Sequence, residues 1–257
     1  MTGGTRRGMR IDQILSNFGY CSRREAAIWV RGGRVEVDGR VVDDASERVE
    51  PVRVRVDGEA VEGPTGLLAL LHKPAGVVCS RSDGEGPGVY GLLPERWSRR
   101  HPPVTTVGRL DKDTTGLLLV TDLGEWVHRW TSPKHHVEKT YEVVLDGPGE
   151  AAWVDLFESG TLVLEGEEKP CLPARLEWVG PHEARLHLVE GRFHQVKRMF
   201  SAVGREVVHL HRSRFGTYEL GDLPVGAWRF EEFPQQPGLP GIPARTPGSA
   251  GRSPGAG

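Results

Sequence analysis

The chain has 257 residues, 37% of them hydrophobic and 26% charged, with a net charge of −2. That length can bury a sizeable core and exceeds what one small domain needs. The composition is that of a soluble globular protein, and no apolar run approaches the roughly 18 residues of a membrane-spanning helix. Residues 1–9 are Gly- and Arg-rich without an apolar stretch behind them, which predicts a disordered tail and no secretory signal. Ile11, Ile14, Leu15 and Phe18 then recur at helical spacing, with Gly19 as the stop. Ser22-Arg23-Arg24-Glu25 has the form of a capping box, and Ala26, Ala27 and Val30 supply the inner face of the helix it opens. Val35 and Val37, the Asp38-Gly39 turn, then Val41 and Val42 predict a short hairpin. Residues 10–61 thus form a small helix-plus-hairpin unit, near the lower limit for independent folding. The Gly- and Pro-containing residues 62–66 read as a linker.

A larger unit spans residues 67–233. Strands are predicted at Leu67–Leu71, Leu117–Thr121, Thr140–Leu145, Ala184–Val189 and Glu206–Leu210, and helices at Gly124–Trp130, Ala151–Glu158 and Phe193–Val203. Hairpin-like strands with a few helices predict an α+β fold with a mainly antiparallel sheet. From residue 234 the composition is Pro, Gly, Arg, Ser and Ala without periodicity, the signature of a disordered tail. The scattered Cys21, Cys79 and Cys171 argue against a disulfide framework, and the reading is a reduced, cytoplasmic protein.

The near-zero net charge hides two basic clusters. Arg192 to Arg214 holds six Arg or Lys residues against Glu206 alone, and Arg10 to Arg34 holds five against two acids. Either cluster can be a solvated face or a phosphate-binding surface. Arg23 and Arg24 open a predicted helix, where free backbone N–H groups also favour phosphate, and Arg31 and Arg34 bracket its end. The stretch from Arg10-Ile11-Asp12 through Ser22-Arg23-Arg24-Glu25-Ala26 to Gly33-Arg34-Val35-Glu36-Val37-Asp38-Gly39 resembles the αL RNA-binding motif of a ribosomal small-subunit protein.

Three further runs can carry chemistry. Gly108-Arg109-Leu110-Asp111-Lys112-Asp113-Thr114-Thr115-Gly116-Leu117 sets carboxylates beside Arg and Lys at the mouth of an apolar strand. Such a group would be held ionised, as a nucleophile or base; ordinary turn chemistry is the bland alternative. A calcium loop fits poorly, because Leu117 to Val120 would form its second half. In Glu190-Gly191-Arg192-Phe193-His194-Gln195-Val196-Lys197-Arg198-Met199-Phe200, the residues Phe193, Val196, Phe200 and Val203 form an apolar helix face. His194, Gln195, Lys197 and Arg198 project away from it, either as a surface face or to hold a carboxylate and phosphate. In the third run, Thr131 to Tyr141, Tyr141 either packs in a strand or offers its ring to an unstacked base. His135, His136, His194, His209 and His211 complete no recognised zinc set.

These runs, with Leu71-His72-Lys73-Pro74-Ala75-Gly76-Val77-Val78-Cys79-Ser80, resemble the bacterial ribosomal-RNA pseudouridine synthases from Arg10 to about Phe233, closest to the small-subunit branch. The resemblance implies isomerisation of uridine: a C–N glycosidic bond breaks, the base turns and a C–C bond forms, with no metal or redox cofactor. It makes Asp111 the catalytic carboxylate, Tyr141 the base-facing aromatic and Lys197 its cationic partner, with Arg198 as the alternative. Arg109, His194, Gln195 and Arg198 would contact RNA, as would Arg23, Arg24, Arg31 and Arg34. The implied partner is ribosomal RNA, met by a monomer away from any membrane. A non-catalytic RNA-binding or ribosome-assembly protein, and a synthase acting on large-subunit RNA, are the competing readings. The Gly-rich loop from Arg81 to Gly91 receives no role.

Overall fold

The computed structural model describes residues 8–82 and 84–234. The tails expected at 1–9 and 234–257 lie almost wholly outside the described residues, although Met9 is in a strand. The first elements are β1 (Met9–Arg10), α1 (Ile11–Asn17), α2 (Arg23–Arg31), β2 (Val35–Val37), β3 (Arg40–Val41), β4 (Arg48–Val49), β5 (Val54–Val56) and β6 (Glu59–Ala60). The capping box forms as read: Ser22 Oγ accepts from the Glu25 N–H, and Glu25 returns to the Ser22 N–H at 2.8 Å. Asp38 and Gly39 both have positive φ, the requirement of a tight hairpin turn between β2 and β3. Ile11, Ile14, Leu15, Ala26, Val30, Val35, Val54 and Val56 close a core of their own.

The second group comprises β7 (Leu68–Lys73), α3 (Glu95–Ser98), β8 (Thr105–Thr106), β9 (Thr115–Thr121), α4 (Gly124–Thr131), β10 (Lys139–Leu145), α5 (Ala152–Glu158), β11 (Arg175–Trp178), β12 (Glu183–Leu188), α6 (Gln195–Ser201), β13 (Val207–Phe215), β14 (Tyr218–Glu219) and β15 (Trp228–Phe230). Their strands form one sheet in the order β11-β12-β10-β13-β9-β7-β15, with β14 on β13 and β8 on β9. Only β13 and β9 pair in parallel among the described strands, so the fold is the expected α+β with an antiparallel-dominated sheet.

The burial pattern follows from what covers each strand. Leu118 and Val120 pack with Trp97 and Leu110, whereas Leu117 and Leu119 pack with Trp126 and Trp130 on the opposite face. Covered on both sides, β9 therefore reads as a continuous apolar run. By contrast β10 and β12 alternate. Val143, Leu145, Leu186 and Leu188 lie under α5 and α6, while Glu142 and Glu183 face outward. No described helix is long and apolar enough to cross a membrane.

Residues 62–66, expected to be a linker, are tied down. Glu62 pairs with Arg96 and accepts from Trp97 Nε1 at 2.8 Å, and its own N–H donates to the Tyr20 hydroxyl at 3.2 Å. Gly19 has φ +78°, and a Cβ there would sit 2.2 Å from the Arg96 carbonyl oxygen. Only glycine both ends α1 and permits this close approach.

Candidate active site

The loop before β9 hangs from two inward anchors. Leu110 is 6% exposed and Thr114 1%, leaving Asp111, Lys112 and Asp113 to stand out between them. The Thr114 N–H donates to the Asp111 carbonyl at 3.1 Å and closes the turn. Beneath it lies Lys73, fully buried, whose ammonium donates to the carbonyls of Pro74 (3.0 Å), Lys112 (3.3 Å) and Thr114 (2.7 Å). Burial pushes the Lys73 pKa down, and Cys79, Asp113 and Asp111 counter part of that push. Gly116 sits at φ +109° with the backbone of Arg212 so close that a Cβ would meet its carbonyl oxygen at 2.3 Å. That contact lets β13 run against the base of the loop.

Lys73 entered the sequence reading only as part of a longer run, yet it is the peg on which the loop is hung. Lys73→Met should remove all three bonds and leave the buried Thr114 carbonyl without its lysine donor, at a cost of about 2 kcal/mol in the local opening of the loop. Amide exchange at residues 111–114 reads this directly. Wild-type protection there in the variant would mean that the loop does not depend on the peg.

Facing the loop, the segment 190–198 departs from expectation in an instructive way. The helix starts at Gln195 rather than Phe193, because His194 adopts a left-handed conformation with φ 47°. This conformation costs a non-glycine residue about 1 kcal/mol or more. Gln195, expected to face RNA, is 4% exposed; its amide donates to Glu190 at 2.5 Å and accepts from the Arg192 N–H at 2.9 Å. Arg198 likewise turns away, binding Glu167 at 2.6 Å and the Glu165 carbonyl at 2.7 Å. With Arg192 it holds the Glu167 carboxyl below the usual range. Phe193 is not part of the apolar face but 76% exposed. Phe193 falls outside the helix, so the inner face is set by Val196, Met199 and Phe200, and Gln195 lies on their side; Arg198 is drawn away by Glu167.

Lys197 and His194 do face the loop. Lys197 Nζ lies 3.6 Å from Asp111 Oδ2, and His194 Nε2 lies 3.4 Å from Asp111 Oδ1. Lys197 is closer still to Asp113, at 2.6 and 2.7 Å, and holds that carboxyl below the usual carboxylate range. Tyr141 packs both against the cluster containing Leu110 and against the one containing Val196, and so lies where the two clusters meet. Asp111, Lys197 and His194 thus converge, while Gln195 and Arg198 build the scaffold behind them. Arg109 is exposed and makes no ion pair among the described residues.

One inward cation escaped notice. Arg212, directly opposite Tyr141 on β13, is 3% exposed; its Nε donates to the Leu117 carbonyl at 2.8 Å, and its Nη2 has no partner among the described residues. Strand alternation from the buried Leu210 was the signal that could have found it. In the N-terminal unit, Arg23, Arg24 and Arg31 are exposed and unpaired among the described residues. Arg34 is instead engaged with Asp57 at 2.6 Å and stacks over Trp29 at 3.5 Å. No group of three His, Cys, Asp or Glu side chains among the described residues could hold a metal ion.

The arrangement is the pseudouridine synthase fold preceded by an S4 domain. Residues 68–202 match the RNA pseudouridylate synthase family and residues 9–51 the S4 domain. Ribosomal small subunit pseudouridine synthase A of Escherichia coli (strain K12) is 43% identical over 226 residues, covering 86% of this chain and 95% of that protein. The same-named protein of Pseudomonas aeruginosa is 42% identical, covering 86% of this chain and 96% of its own. A solved structure described as a pseudouridylate synthase superposes with a TM-score of 0.61 at 36% identity, over 87% of this chain and 96% of that one. The chain belongs to the RNA pseudouridylate synthase family, and its relatives are isomerases.

Proposed function

We propose that this enzyme converts a uridine of small-subunit ribosomal RNA to pseudouridine, with Asp111 as the catalytic carboxylate. The observation that carries the assignment is the placing of Asp111 between His194 and Lys197. The choice of small-subunit RNA rests on relatives bearing that name and matched along almost their whole length. Covalent attack and proton abstraction by Asp111 both use its carboxylate oxygens, which stand 3.6 Å from Lys197 Nζ and 3.4 Å from His194 Nε2. The uridine must leave its stack, which costs a few kcal/mol, and the Tyr141 ring offsets part of that cost by receiving the base. Residues 67–233 carry out this chemistry. Residues 10–61 grip the RNA through Arg23, Arg24 and Arg31, with a lesser part for the already paired Arg34, and raise the effective concentration of substrate. Arg109 meets the backbone near the flipped nucleotide.

Purified enzyme incubated with unmodified small-subunit RNA, naked or in an assembling particle, should create one new pseudouridine. None in either substrate would contradict the assignment. Tyr141→Leu should lower kcat about tenfold or more, the loss of a stacked base, while leaving the unfolding midpoint within a few degrees. Unchanged turnover would return Tyr141 to simple packing.

A further inference from the structure

Phe193 is the most exposed large hydrophobic side chain among the described residues, at 76%. A single exposed aromatic is ordinary on a protein surface, so the setting must decide. Every long side chain around it is occupied. Glu190, Arg192, Gln195 and Arg198 are knitted to one another or to Glu167, and Lys197 is committed to Asp113 and Asp111. The carbonyl of Phe193 itself accepts from Arg198 at 3.2 Å. Two rings are left standing clear of this scaffold, Phe193 and His194.

Those rings are stacked on each other, with centroids 3.8 Å apart and planes 18° from parallel. The edge of His194 reaches Asp111, and its left-handed backbone is what turns the ring there. A continuous line therefore runs from the carboxylate through His194 to Phe193, whose outer surface is open. RNA that delivers one nucleotide to Asp111 must lead its neighbours along the adjoining wall. Bases unstacked by that distortion need a surface, and an open aromatic ring supplies one whatever the base.

We propose that Phe193, backed by His194, is the stacking platform for a base adjoining the target uridine. The proposal rests on the assignment of Asp111 above and adds a substrate contact that orients the flanking nucleotide. Because stacking does not distinguish bases sharply, the platform contributes affinity and register rather than sequence choice.

The test uses the full chain with Phe193→Leu, Phe193→Ala and Phe193→Trp. Each is titrated with a single-stranded RNA oligonucleotide carrying 2-aminopurine beside a lone uridine, and KM and kcat are measured on unmodified small-subunit RNA. Leu and Ala should weaken Kd and raise KM on the order of tenfold, with most of the loss outside kcat, and Trp should restore both. Quenching of 2-aminopurine should vanish with Leu and return with Trp. Equal behaviour of Leu and Trp, or an unquenched probe on the wild-type protein, overturns the proposal. So does unchanged RNA binding in all three variants, which would hand the ring to a protein partner. Binding and quenching need no turnover, so they stand apart from activity assays of Asp111→Asn, which decide the catalytic assignment.

Discussion

Asp111→Asn should abolish pseudouridine formation, lowering the rate by at least about a thousandfold, while the protein folds and still binds RNA. The amide has almost the shape of the carboxylate, so the loop has no steric reason to move. Its anchors are elsewhere, in Leu110, Thr114 and the buried Lys73. Lys197 keeps its tighter partner Asp113 in the variant, and exposed cations such as Arg109 are untouched. What is lost is the negative charge between His194 and Lys197. The decisive comparison is Asp113→Asn. Asp113 holds Lys197 more closely but lies with its side chain 71% exposed, against 28% for Asp111. Its loss should release Lys197 toward Asp111 and reduce activity far less. A reversal of that order in a tritium-release assay would move the chemistry to Asp113.

Arg100→Met should cost about 3–5 kcal/mol of stability, the range for breaking one side of a buried ion pair. The Arg100 side chain is 2% exposed and that of Asp122 8%. The guanidinium meets Asp122 through Nε at 2.9 Å and Nη2 at 2.5 Å. It also donates to the carbonyls of Glu62 and Gly63 at 3.0 and 3.1 Å, and Phe18 lies against its face at 4.8 Å. The other Asp122 oxygen accepts from the Leu67 N–H at 2.7 Å. One side chain therefore joins the N-terminal unit, the 62–66 segment and the end of β9. Met fills a similar volume but leaves a carboxylate buried with a single donor, so that carboxylate becomes the dominant cost. Domains are typically stable by 5–15 kcal/mol, so the loss should be obvious in urea unfolding. Adding Asp122→Leu to Arg100→Met should recover part of it, because the orphaned charge goes. A single-variant change below about 1 kcal/mol would contradict this role.

What could be read in advance follows the range of the forces involved. The capping box at Ser22 and the turn at Asp38-Gly39 depend on neighbours in sequence, and both formed as read. The strands β7, β9, β10 and β12 announced themselves by apolar runs or alternation, but β11 and β15 are too short to do so. Long-range polar contacts left no local trace. Nothing near Arg100 points to Asp122, and nothing near Lys73 points to the carbonyls of Lys112 and Thr114. At the site, Asp111, Tyr141 and Lys197 were singled out by resemblance; Lys197 stands 3.6 Å from Asp111, and Tyr141 packs against two of the hydrophobic clusters. The left-handed turn at His194 was invisible, since histidine does not demand it as glycine would. That one backbone residue put Phe193 outside and Gln195 inside, and exchanged their expected roles.

The central claim is most directly tested by mapping pseudouridines in small-subunit ribosomal RNA from cells lacking this protein. The map is then repeated after complementation with the wild-type chain or with Asp111→Asn. One site should be missing, should return with the wild type, and should stay missing with Asp111→Asn although that variant is present at normal levels. An unchanged map in the deletion strain, or a site restored by Asp111→Asn, would contradict the account.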